Sequence, residues 1–331
     1  MLKKPAPRRN SRKARPRAAS AGRTPEKPLA TSHVRRTARW IALGVALVAA
    51  WPCQFAAARV SEVGPYEGRL EADVVSKFSH IRVRREGDVR ALLFVRDSGE
   101  EVVETYLNLE RPQDLITEYT RVMFVSYLYA PRPKKVLLVG LGGGSMVHFL
   151  RHYDPDVSID VVEIDPAIVD VAKKYFLVRE DERTKIIVAD AVKYLTGSPP
   201  RYDVVYMDAF LKPTRQTDST GVPLRLKTEA LQRDILRKAL VPDGVAVYNL
   251  NAHPEVADDI ASIAAVFAQP YVYQLSGATG YVVAATAQAK RDTPETLVER
   301  AREIDRRFEA SFAIEPIVRQ LLPQSRRKRG R

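Results

Sequence analysis

The chain has little that could cross-link it or hold a soft metal. Cys53 is the only cysteine in 331 residues, which excludes a disulfide within the chain and a cysteine-based metal site. Long apolar runs are also scarce. The most apolar stretch, WIALGVALVAAW from Trp40 to Trp51, falls short of the roughly 20 residues that span a bilayer comfortably. No GxSxG occurs, so a serine-hydrolase elbow is unsupported. The one glycine-rich loop lacks the Gly-Lys-Ser/Thr ending of a triphosphate-binding loop. His148 and His152 are four apart and fit one helix face, but no glutamate follows His148 and no third ligand is apparent, so no metal is expected. No internal repeat is visible.

The charge is unevenly placed. Net charge is +13, yet residues 1–39 carry 13 Lys and Arg against the single acid Glu26, and Arg326, Arg327, Lys328, Arg329 and Arg331 add five more. The body between these ends is therefore mildly acidic, at −4, and a nucleic-acid reading loses its basis. Residues 1–39 are rich in Pro, Ala, Ser and Arg, and read as a disordered basic leader able to meet anionic lipid. Residues 40–58 read as a signal-peptide core or membrane anchor, with Ala56, Ala57 and Ala58 offering a cleavage site. This predicts a membrane-associated or exported protein, or a cytoplasmic one if the segment is not a working signal.

Residues 59–131 read as a small antiparallel β domain plus a linking helix. HIRVRREGDVRALLFV turns at Glu86-Gly87-Asp88, EVVETYLNL supplies another strand, and helical periodicity runs from Asp114 to Tyr129. In residues 132–290, short apolar runs suited to buried parallel strands alternate with helices: VLLVG, IDVVEID, KIIVAD, YDVVYMDAF and GVAVYNLN. Helices are expected over Met146–Tyr153, Pro166–Phe176, Ala191–Leu195, Thr228–Leu240 and Pro254–Gln269. YVYQLSG and YVVAATA form a final hairpin. The fold class is thus α/β, a doubly wound Rossmann-like sheet, mostly parallel with a terminal antiparallel strand. Residues 291–331 hold an amphipathic helix opened by Thr293-Pro294, and the basic tail.

In such a sheet the ligand lies beyond the carboxyl ends of the strands, where strand order reverses. Gly140, Gly142, Gly143 and Gly144 follow the first strand and let backbone approach a nucleoside closely. Glu163 ends the second strand, where its carboxylate can accept both ribose hydroxyls. Asp165 and Asp190 each have two readings: a cofactor contact, for Asp190 the adenine amino group, or the N-cap of the helix that follows. Asp208 ends the fourth strand and can orient or deprotonate an amine. Asn249 and Asn251, with Tyr248 between strand and loop, are acceptor-side candidates.

Taken together, strand, GLGGG, VVEIDP, VAD and MDAF in order resemble the spermidine synthase family, the polyamine aminopropyltransferases, from Ser76 to Ala287. The resemblance implies a class I S-adenosylmethionine methyltransferase-type fold and a role in polyamine biosynthesis. It also implies decarboxylated S-adenosylmethionine or S-adenosylmethionine as co-substrate, held by Gly140, Gly142, Gly144, Glu163, Asp165 and Asp190, with Asp208 catalytic. Departures bear on the acceptor. Gly143 and Leu211 stand where family members that make spermidine carry aspartates, and of a tyrosine-histidine-glutamate set only Tyr119 is kept, beside Thr120 and Arg121. Each lost acid removes a charge-assisted hydrogen bond of roughly 1.5–3 kcal/mol. Lys212, Arg215, Arg225 and Lys227 against the one acid Asp218 read as a basic gate that repels a polyamine. The leading expectation is alkyl transfer of aminopropyl type to an amine, either a small molecule or a protein. Methyl transfer is the alternative, and non-catalytic nucleoside binding the third reading; self-association stays open.

Overall fold

The computed structural model describes residues 66–323 apart from 198 and 199. The expectations for the leader, for the apolar segment 40–58 and for the Arg-rich tail lie outside the described residues. Among the described residues no helix is long and apolar enough to cross a membrane.

Four strands form the small antiparallel sheet in sequential order: β1 (Arg69–Val75), β2 (His80–Glu86), β3 (Val89–Val95) and β4 (Glu101–Asn108). Period-two patterning explains it, since Ile81 and Val83 are buried while Arg82 and Arg84 lie on the other face. There the two arginines reach across the sheet to Glu101 at 2.8 and 2.7 Å. The linking helix expected from Asp114 is shorter and broken. It runs as α1 (Glu118–Met123) and α2 (Ser126–Tyr129), because Phe124 and Val125 make tighter bonds to Arg121 and Val122.

The large sheet has the order β10-β11-β9-β8-β5-β6-β7, built from β5 (Lys135–Val139), β6 (Ser158–Glu163), β7 (Thr184–Val188), β8 (Tyr202–Met207), β9 (Leu240–Asn251), β10 (Gln269–Gln274) and β11 (Gly280–Thr286). From β5 the chain moves outward through β6 and β7, then returns to β8 on the other side, so strand order reverses between β5 and β8. The antiparallel strand is the last in the chain but not the last in the sheet: β11 inserts between β9 and β10. Both faces of β5 are buried. Val136 and Leu138 pack into one cluster, Leu137 and Val139 into the other, as a doubly covered parallel strand requires.

The helices include α3 (Ser145–Tyr153), α4 (Pro166–Tyr175) and α5 (Ala191–Thr196), which follow β5, β6 and β7 and so begin at the same end of the sheet. The helix expected over Thr228–Leu240 forms over residues 229–239, but its middle, Leu231–Leu236, is wound wider, as a π-helix, before α6 (Arg237–Ala239). After β9, α7 (Val256–Val266) starts without a side-chain cap, in keeping with the missing Ser, Thr, Asp or Asn there. Thr293 caps α8 (Pro294–Phe308) by accepting from Thr296, and α9 (Glu315–Val318) follows. An aromatic cluster of Phe124, Tyr127, Phe149, Tyr206 and Phe308 joins the linking segment, α3, β8 and α8.

Candidate active site

The strand ends at the reversal are locked together by a glycine. The Gly140 N–H donates to the Val162 carbonyl at 2.9 Å and the Asp208 N–H to the Val139 carbonyl at 3.0 Å. Gly140 has φ of 102°, and a Cβ there would lie 2.1 Å from the Asp208 carbonyl oxygen, so only glycine lets β5 and β8 approach this closely. One cavity opens at this point. Its wall includes the glycine loop, Glu163, Asp165, Asp190 and Asp208, together with Glu104, Thr105 and Tyr119 from the preceding segments and Arg225 from the loop after β8.

Around the glycine loop and the starts of α4 and α5 the carboxylates are already engaged. Glu163 accepts from the Leu141 and Asp165 N–H groups, both at 2.9 Å. Burial pushes its carboxyl up, and those N–H groups oppose the rise. Asp165 lines the cavity, but its carboxylate serves the fold: it caps α4 by accepting from Ala167 at 3.0 Å and takes the Ser76 hydroxyl at 2.5 Å. Asp190 is an N-cap, holding α5 through Val192 at 2.9 Å, and it also lines the cavity, where Arg225 pairs with its second oxygen.

The other end holds two further acids, Asp208 and Glu104. Asp208 accepts from the Asn249 amide at 2.9 Å and from the Tyr119 hydroxyl, but burial outweighs both and lifts it to about 6. Glu104, on β4, is pushed up to about 8 by burial and by the Asp208 charge. The Tyr119 hydroxyl lies 3.4 Å from the Glu104 carbonyl, and burial raises that phenol well above its ordinary value. Asn249 is buried with its Oδ1 unpaired. Asn251 is exposed and outside the cavity wall, so the acceptor-side expectation fails there: it closes β9, one residue past the buried stretch. Tyr248 faces away, bonding Gln232.

Glu104 lies inside a strand of the small sheet, away from the strand ends of the large sheet where such ligands gather, so its position in the chain does not point to the cavity. The available signal was an acid set between Val103 and Thr105 in the interior of a strand whose other charged residue, Glu101, stands at its start. Thr105 matters as well, since its Oγ1 accepts from the Gly143 N–H at 3.0 Å. A Cβ at Gly143 would meet the Thr105 methyl and Phe176 at 2.8 Å each, which explains why no acid stands there.

The basic gate is largely neutralised. Lys212 pairs with Asp97, Arg225 with Asp190, and Lys227 with Asp218 and Asp259 at 2.7 and 2.6 Å, leaving Arg215 exposed. Sequence reading missed this because Asp97, Asp190 and Asp259 are remote in the chain. Asp218, His253 and Asp259 are close enough to share a cation, but the Lys227 ammonium already takes both carboxylates. His148 bonds the Phe176 carbonyl at 2.7 Å and His152 packs edge-on against Tyr153, so the two form no joint site.

Comparison with known proteins follows the same geometry. Residues 117–285 match the spermine/spermidine synthase domain. The polyamine aminopropyltransferase of Chromobacterium violaceum is 30% identical over 255 residues, covering 75% of this chain and 92% of that protein. The eEF1A lysine and N-terminal methyltransferase of Mus musculus is 30% identical over 216 residues, covering 63% of this chain but only 30% of that longer protein. The solved spermidine synthase of Thermotoga maritima shares the fold, with a TM-score of 0.56 at 18% identity over 77% of this chain and 85% of that one.

Proposed function

The chain belongs to the spermine/spermidine synthase family and is a transferase, and we propose that it moves an aminopropyl-type group from decarboxylated S-adenosylmethionine to an amine. The observation that carries this reading is the charge of the cavity wall. Five acidic side chains line it, Glu104, Glu163, Asp165, Asp190 and Asp208, with Glu104 keeping its proton at neutral pH while the site is empty, against one cation, Arg225, which is paired with Asp190. A decarboxylated donor is cationic at sulfur and at its terminal amine. S-adenosylmethionine adds a carboxylate, which would be brought beside Glu104 and Asp208 with no lining cation at that end.

In the proposed reaction the acceptor nitrogen attacks the propyl carbon bonded to sulfur. The new C–N bond forms as the C–S bond breaks, and its electron pair returns to sulfur to leave a neutral thioether. The surplus proton on nitrogen passes to the Asp208 carboxylate, which at about 6 is ionised at neutral pH yet basic enough to accept it. Asn249 and Tyr119 hold that carboxylate in place.

A second reading, methyl transfer from S-adenosylmethionine, is favoured by Gly143 and Leu211, which offer no charge to hold a diamine, and by the similarity to a protein methyltransferase. The released nucleoside separates the two. Incubation with each donor and an amine panel should yield 5′-methylthioadenosine from the decarboxylated donor. S-adenosylhomocysteine from S-adenosylmethionine, with no methylthioadenosine from the other, would overturn the aminopropyl reading.

A further inference from the structure

We propose that Glu104 receives the terminal ammonium of the bound donor and thereby sets the preference for a donor without a carboxylate, releasing a proton as it does so. The inference rests on the aminopropyl reading above and names the residue that enforces it.

Geometry places Glu104 for this role. Its neighbour Thr105 is tied to the glycine loop through the Gly143 N–H, so β4 is held in fixed register against the loop. Glu104 opens onto the same cavity as Asp208 and Tyr119, at the end away from Asp190 and Arg225. Among the described residues no hydrogen bond or ion pair reaches its carboxylate, whereas Asp208 is held by Asn249 and Tyr119 and Glu163 by two backbone N–H groups. An acid left open to a cavity beside a second acid is suited to a cation that arrives from outside. An ammonium draws Glu104 into its ionised form through a charge-assisted hydrogen bond, whereas a carboxylate at the same place is repelled by the ionised Asp208 beside it.

The groups that face Glu104 fix the sign of the proton effect. Asp208 from the end of β8 raises it, Arg96 from the turn before β4 lowers it slightly, and Tyr119 from α1 stays neutral because burial lifts the phenol. With burial the strongest influence, the empty site keeps a proton on Glu104 up to about pH 8. A donor ammonium favours the ionised form, so binding at pH 7 expels that proton. Asp208, at about 6, is already mostly ionised there.

Calorimetric titration of the full chain with decarboxylated S-adenosylmethionine and with S-adenosylmethionine tests this, without acceptor, at pH 7 in two buffers of different ionisation enthalpy. The wild type should prefer the decarboxylated donor at least tenfold, with a buffer-dependent enthalpy that reports proton release. Glu104→Gln should reduce the preference about tenfold or more and abolish most of the release, and Glu104→Asp should retain part of both. If the wild type prefers the decarboxylated donor while Glu104→Gln keeps the same preference and the same release, Glu104 is not the reader. A wild type that prefers S-adenosylmethionine overturns the donor reading itself. Should the glutamine variant unfold on heating checks, the wild-type titration still decides: no proton release at pH 7 overturns the proposal.

Discussion

The two ends of the cavity treat their carboxylates differently. At the nucleoside end Glu163, Asp165 and Asp190 accept backbone N–H groups from the loop and helix starts around them. At the other end Asp208 has two side-chain donors, and Glu104 has none among the described residues. Satisfied acids at helix starts make a rigid frame, because each N–H fixes both partners and the helix end favours negative charge. Burial pushes all three of Glu163, Asp208 and Glu104 upward; backbone N–H groups oppose the rise at Glu163, whereas Asp208 reaches about 6 and Glu104 about 8. The two ends differ in the kind of donor each acid receives, backbone N–H groups at one and side chains or none at the other.

The sharpest way to break this contrast is Asp208→Asn, which should lower kcat by about 10²–10⁴, a larger factor than any loss of donor affinity, as read by turnover and calorimetry. In the wild type, activity should rise with pH through about 6 as Asp208 ionises, and that limb should vanish in the variant. A comparable loss of donor binding would place Asp208 with the frame. Next in size, Glu163→Ala should weaken donor binding by about 30-fold or more, because it removes a buried charged acceptor and strands the Leu141 and Asp165 N–H groups. Unchanged affinity would show that the frame does not hold the donor.

Gly143→Asp should destabilise the fold by about 1–3 kcal/mol, since its Cβ meets Thr105 and Phe176. Thr105→Gly should relieve part of that cost in the double variant, a coupling that denaturant melts can measure. Additive effects would mean the contact does not decide the residue at 143. The smallest expected effect is on stability against pH. Folded Glu104 holds its proton up to about 8 but unfolded Glu104 loses it near 4.5, so the wild type sheds stability as pH rises between those values. Glu104→Gln should therefore melt a few degrees higher than wild type at pH 8.5 and equally at pH 4. A gap that persists at pH 4 would point to packing.

Much of the frame was legible in the chain. Gly140, Glu163 and Asp190 sit at strand ends because apolar runs mark where parallel strands stop, and loop ligands gather there. Asp165-Pro166 announced a cap as clearly as a ligand, and the cap dominates. The broken linking helix and the wide turn at Leu231–Leu236 were not legible, since local periodicity is satisfied equally by α, tighter and wider turns until packing chooses. The basic look of the segment after Asp208 misled for a related reason. Charge counted along the chain omits Asp97, Asp190 and Asp259, which reach those cations only in three dimensions.

The sequence by itself determined the α/β order, the glycine loop and the acids that end β6, β7 and β8, because strand periodicity and helix starts depend on near neighbours. Only the tertiary structure decided that Glu104 and Thr105 of the small sheet complete the cavity of the large one. That meeting depends on β4 packing against a loop 38 residues further on, where the Thr105 hydroxyl takes the Gly143 N–H. It is a long-range contact, and no local pattern encodes which acid will lose its solvent and its partners.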